Sequence, residues 1–184
     1  MSVQTANTLS SRRAYDGKIL SLRVDTIQID DREPAEREIV EHPGSIVVVP
    51  VTSRGTILLV EQWRHPTERI LLEAPAGTLD PGEDPAETAQ RELREETGHR
   101  AATIRQIGGF WIAPGWCDEY MYAYLATGLT PDPLPQDVDE DLYVVETPLD
   151  EVRGLLQSGR IADAKSIAAL LLAFEFHESA IDAQ

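Results

Sequence analysis

Only one cysteine, Cys117, is present, so no disulfide can form within the chain, and a reducing compartment is expected. Aromatic residues make up 6% of the sequence, and the longest apolar run, Ile167–Phe174, ends at Glu175. That run is far short of the roughly 20 apolar residues a membrane-spanning helix needs. Positive charge is scarce as well: 16 Lys and Arg stand against 32 Asp and Glu, a formal net charge of −16. A phosphate backbone would be repelled by such a chain, which argues against nucleic acid as a partner. Small phosphorylated ligands are not excluded, because a bound cation inverts the local charge logic. Met1–Arg13 is polar and has no apolar core of the kind a secretory signal requires. The expectation is a cytoplasmic protein with no membrane partner.

The 184 residues suit one domain with a buried core, and neither an internal repeat nor an interdomain linker interrupts them. Residues 1–13 read as a flexible segment and 14–184 as a single domain. Ile19, Leu20, Leu22, Val24, Ile27 and Ile29 are separated mostly by polar residues and predict a strand, with a second, more charged one over Glu36–Glu41. Ile46–Val51 is a continuous β-branched run, as in a buried strand, and Thr56–Gln62 is expected to return from Arg54-Gly55 as its hairpin partner. Further strands are predicted over Thr103–Phe110, Glu119–Thr127 and Leu142–Glu146, and helices over Pro148–Ser158 and from Asp163 to Glu178. Strands with a few inserted helices indicate a mixed α/β or α+β sandwich.

The helix predicted at Asp84–Thr97 carries the chemistry. Asp84 suits the N-cap, Pro85 the first helical position, Glu87 the capping-box acid and Gly98 the C-terminal stop. Ala86, Ala89, Leu93 and Thr97 form its packing stripe, while Glu92, Glu95 and Glu96 are expected to share another face. These acids sit in the C-terminal half, where the helix dipole disfavours them, and Glu92 and Glu96 repel at i, i+4. A hard divalent cation with oxygen ligands would relieve that repulsion. From charge placement alone, a metal site and a solvated acidic face both stay open. His42, His65, His99 and His177 are scattered, which gives no zinc-ligand spacing.

Gly77, five residues, Glu83, seven residues, Arg91-Glu92-Leu93, one residue, Glu95-Glu96, one residue, Gly98: this pattern resembles the signature box of the Nudix hydrolases. His99 departs from it, standing where an aliphatic residue is usual, with Ala101 available for that packing. The resemblance implies an α/β/α sandwich with a mixed central sheet and a catalytic loop-helix-loop. It implies Mg²⁺ as cofactor, with Mn²⁺ a possible substitute, held by Glu92, Glu96, Glu95 and the backbone carbonyl of Ala76. Arg91 is implied to partner a box carboxylate, Glu95 or Glu83, and to serve catalysis with Glu95. Gly77 and Gly98 would shape the loops. The implied reaction is attack of water on a phosphorus of a nucleoside diphosphate linked to another group.

Outside the box, Tyr15–Val24, Arg37-Glu38-Ile39-Val40, His42-Pro43-Gly44, Gln62-Trp63-Arg64, Glu73–Gly77 and Ala113–Glu119 resemble the ADP-ribose pyrophosphatase branch, as does Pro114. That branch implies hydrolysis of ADP-ribose to AMP and ribose 5-phosphate by a homodimer, with strands at about 17–41 in the dimer interface. Arg37 and Glu38 would contact adenine, and Arg64, Glu73, Gly77 and Pro114 complete the implied substrate contacts. An Arg64–Glu73 ion pair between neighbouring strands is the competing reading of those two residues. The catalytic base is expected from the acidic loop Asp137–Asp141, with Glu140 preferred to Asp139 or Asp141. Two alternatives accompany this reading: hydrolysis of another nucleotide sugar such as GDP-mannose, or of a dinucleotide, and a non-catalytic nucleotide-sensing domain.

Overall fold

The computed structural model describes residues 3–136 and 141–181. They form two compact units: residues up to Gly44 with Trp111–Tyr120, and Ser45–Phe110 with the residues from Met121 onward. In the first unit, β1 (Asn7–Asp16), β2 (Ser21–Gln28) and β3 (Ala35–Glu41) form an antiparallel sheet in that order. Most of β1 lies in the segment read as flexible. Its sequence shows no apolar alternation because every residue in it is exposed. Backbone pairing to β2 defines the strand, reinforced by Ser11 on Asp25 and Arg13 on Glu41.

The second unit holds β4 (Ser45–Pro50), β5 (Thr56–Arg64), β6 (Arg69–Glu73), β7 (Ala76–Thr78), α1 (Pro85–Thr97) and β8 (His99–Arg100). After these come β9 (Thr103–Trp111), β10 (Tyr120–Thr127), β11 (Thr130–Pro131), β12 (Leu142–Pro148), α2 (Leu149–Gln157) and α3 (Ala164–Ile181). One sheet runs β7-β4-β10-β9 and is mixed, since β4 is antiparallel to β7 and parallel to β10. A second runs β12-β5-β6, all antiparallel. The predicted β4–β5 hairpin is therefore corrected: the two strands lie in different sheets, and an isolated bridge pairs Val51, just past β4, with Ile57. Both are apolar on both faces, so neither has an alternation that would assign its neighbour.

That two-sided burial produces the layers. Ile46 and Val48 of β4 pack with Tyr124 and Ala126 of β10 against Ala89 and Leu93 of α1. The alternate residues Val49 and Leu125 meet Leu170, Ala173 and Phe174 of α3 on the other side. The result is the α/β/α arrangement with a mixed sheet. No helix among the described residues is long and apolar enough to cross a membrane.

Leu93 is fully buried where α1 meets the sheet. Leu93→Ala is expected to cost about 2–5 kcal/mol of stability, read as a lowered urea midpoint with an unchanged slope. A loss below about 1 kcal/mol would show that α1 is not held by this contact.

Candidate active site

Asp84 caps α1, its Oδ1 accepting from the N–H groups of Ala86 at 2.9 Å and Glu87 at 3.4 Å. At the other end Gly98 takes a left-handed φ of 72° and its N–H bonds to the Arg94 carbonyl at 3.1 Å. His99 begins β8, and Ala101 joins the core cluster under α1. The buried face carries Thr88, Ala89, Leu93, Glu96 and Thr97. Glu96, 3% exposed, is the most buried of the three acids and lies where the packing side meets the acidic edge.

Two box acids meet β7 directly. Glu96 Oε2 accepts a hydrogen bond from the backbone N–H of Ala76 at 3.1 Å. Glu92 lies across Gly77, where an added Cβ would fall 1.9 Å from Oε1 and 2.0 Å from the carboxyl carbon. Residue 77 has no side chain, and the carboxylate fills that space. Arg91 draws together Glu92 and two further acids, Glu83 and Glu95. Its Nε and Nη2 donate to Glu83 Oε1 and Oε2, both at 3.1 Å, and its Nη1 donates to Glu92 and Glu95, both at 2.8 Å. Hydrogen bonding to Arg91 holds the Glu83 carboxyl below the usual carboxylate range despite some burial. The same bond, with the charges of Glu92 and Glu83, raises the Arg91 pKa.

Three or more Asp, Glu, His or Cys side chains do not converge tightly enough to hold a metal ion among the described residues. Arg91 Nη1 stands between Glu92 and Glu95. The donor set still suits a hard divalent cation: carboxylate oxygens of Glu92, Glu95 and Glu96 on one helix, two of them resting on β7.

A second charged cluster adjoins this one. Glu73, 2% exposed on β6, takes Arg64 Nη2 at 2.7 Å and Nε at 3.1 Å, so the ion-pair reading of these two residues is the arrangement seen. Lys165 of α3 binds the same Glu73 oxygen and Asp163 Oδ2. Burial pushes Glu73 up, but the Arg64 hydrogen bond and the charge of Lys165 outweigh it, and its pKa falls below normal. Burial works against the Arg64 charge, while Glu73, Glu96 and Asp163 together raise its pKa. That coupling links the two clusters. In the sequence Asp163 marks only the expected start of a helix, and Lys165 carries no local signal of this pairing.

Arg37, Glu38 and Pro114, also expected at the site, belong to the other unit. Arg37 and Glu38 are exposed on β3, and Arg37 Nη1 donates to the Glu36 carbonyl at 2.9 Å. Pro114 is exposed in a turn whose Trp116 and Cys117 N–H groups bond to the Ala113 carbonyl. Glu140 and Asp139 lie outside the described residues; Asp141 is described and exposed.

A family model described as NUDIX domain matches residues 41–170. The chain belongs to the Nudix family. It is 38% identical over 165 residues to an ADP-ribose pyrophosphatase of Bacillus subtilis, covering 89% of each chain. It is 37% identical over 165 residues to a methanol dehydrogenase activator of Bacillus methanolicus, again covering 89% of each. Its fold resembles a solved ADP compounds hydrolase, with a TM-score of 0.87, 24% identity and 97% of both chains covered. In this Nudix enzyme the α1 acids are set by the helix and by β7, whereas Arg64 and Glu73 are set by the β12-β5-β6 sheet.

Two expectations follow. Gly77→Ala must displace Glu92, so divalent-cation affinity measured calorimetrically should fall about tenfold or more, with stability changed by at most about 1 kcal/mol. Unaltered affinity would remove Glu92 from the metal set. The second concerns acid. The folded-state pKa of Glu83 lies below its unfolded value, so its contribution is whole above that unfolded value and is lost as pH falls through the folded one. The stability gap between the parent and Glu83→Gln should therefore be widest near neutrality and narrow below about pH 4. A gap that stays constant down to acid unfolding would show that Arg91 does not perturb Glu83.

Proposed function

We propose that this protein hydrolyses the pyrophosphate bond of ADP-ribose, giving AMP and ribose 5-phosphate, with Mg²⁺ as cofactor and Mn²⁺ as a possible substitute. The observation that carries the reading is the seating of Glu92 and Glu96 on Gly77 and Ala76, which aligns oxygen donors along one edge of α1. Glu92, Glu96 and Glu95, with the Ala76 carbonyl, would hold the ion. When bound, it supplies positive charge against the pyrophosphate and eases loss of a proton from water. The ADP-ribose assignment draws support from the relatives that share most of the chain's length.

The chain's own residues then divide the work. Arg91 sets Glu92 and Glu95 from the helix itself and restrains their mutual repulsion. Arg64, still partly exposed beyond its Glu73 contact, offers a guanidinium to a phosphate or the terminal ribose. Glu140, in the acidic loop, is the proposed base that takes the proton from the attacking water. Arg37 and Glu38 are assigned to adenine, Pro114 to the substrate-facing turn, and the strands at about 17–41 to a homodimer interface. The setting is cytoplasmic.

The test is AMP release from ADP-ribose with Mg²⁺, comparing the parent with Glu96→Gln and running GDP-mannose in parallel. Loss of a metal ligand is expected to reduce kcat by about a hundredfold or more. Turnover of GDP-mannose alone would keep the hydrolase and remove the ADP-ribose assignment. A folded protein that turns over neither substrate but binds them would point to a sensing domain.

A further inference from the structure

Lys165 is the third residue of the path Arg64–Glu73–Lys165, and its position is unusual. It stands in the first turn of α3, where the helix dipole opposes a positive charge. Two anions compensate it there: Glu73, and Asp163 Oδ2 at 3.0 Å. Asp163 is fixed in turn. Its Oδ2 accepts from the Ser166 N–H at 3.0 Å, and its buried Oδ1 has no partner among the described residues. The Ser166 hydroxyl accepts from the Ala74 N–H at 2.7 Å, fastening the start of α3 to the residue after Glu73. Glu73 Oε2 is thus shared by two cations, Arg64 from one side and Lys165 from the other.

A carboxylate this buried is strongly destabilised if it loses its only cation. Were Arg64 alone on Glu73, turning the guanidinium toward a ligand would leave that charge uncompensated. With Lys165 on the same oxygen, Arg64 can leave while Glu73 stays paired. We propose that Lys165 is a positioning residue for substrate binding, holding Glu73 neutralised so that Arg64 is free to exchange its carboxylate for an anionic group of the substrate. The proposal rests on the assignment of Arg64 to the substrate of the proposed reaction. Lys165 itself touches no substrate.

The test is equilibrium binding of the non-hydrolysable α,β-methylene ADP-ribose by titration calorimetry in saturating Mg²⁺, on the parent, Lys165→Met and Lys165→Arg, each with and without Arg64→Ala. Lys165→Met should raise Kd about tenfold, and Lys165→Arg should restore most of the loss. In the Arg64→Ala background Lys165→Met should change Kd by less than about twofold, because the residue acts through Arg64. A structural role would weaken binding in both backgrounds and would overturn the proposal, as would a Kd unmoved by Lys165→Met. Should Lys165→Met fail to fold, Asp163→Asn keeps a capping oxygen and leaves Glu73 as the sole anion on Lys165; it should tighten binding, and a weaker Kd overturns the proposal. If the parent itself fails to bind the analogue, the ADP-ribose assignment falls and the proposal falls with it. Parent binding with flat variants sinks the proposal alone.

Discussion

The distance between α1 and β7 governs the site, and the missing side chain at residue 77 makes that distance possible. Ala89 and Leu93 bring the helix down on β4 and β10. β7, hydrogen-bonded to β4, then lies under the acidic edge of the helix. The Glu92 carboxyl rests where a Cβ of residue 77 would have to be. One residue earlier, the Ala76 N–H reaches Glu96. A glycine chosen for turn geometry would tolerate a larger residue at a cost of backbone strain. Gly77 has no positive φ, so its requirement is space for a carboxylate.

Charge is arranged locally in a way the overall figure of −16 conceals. Arg91 is shared by Glu83, Glu92 and Glu95, and Arg64 and Lys165 answer Glu73 and Asp163. The second cluster is formally balanced, two cations for two anions. The first keeps an excess of negative charge on the helix edge proposed for the cation. A ligand carrying phosphates would meet that excess only through the cation, and would meet a guanidinium directly at Arg64. In the proposed reaction the two clusters would take different tasks on one pyrophosphate, the α1 acids through the cation and Arg64 directly.

Much of this was legible in the sequence where the code is local. The cap at Asp84, the stop at Gly98 and the box spacing define α1, because each depends on neighbours within a turn. The burial of Glu96 was not foreseen, although its place beside Glu92 was. Glu96 stands seven residues after Ala89, which on an α-helix is an offset of only about 20°, so the wheel itself puts it on the buried side. The β4–β5 pairing was wrongly expected and β1 was missed for opposite reasons: the buried β4 and β5 carry no exposed face and β1 carries no buried one. Side-chain alternation is the signal that assigns strands to faces, and neither case carries it.

The dipole rule singles out both clusters, although it was applied to only one. Acids late in α1 and a lysine at the start of α3 each oppose the field of their own helix. In α1 the compensating arginine is in the same helix, one residue from Glu92 and four from Glu95, so the arrangement can be read along the chain. In α3 the compensating glutamate is 92 residues away on a strand of another layer. A charge set against its helix is a reason to look for a compensating partner. It carries no information on which residue that is, because the pairing is made by the docking of α3 on β6 through Ser166 and Ala74, contacts that depend on the folded sheet. For Lys165 the folded structure, not the local sequence, identifies Glu73 as the buried anion it answers.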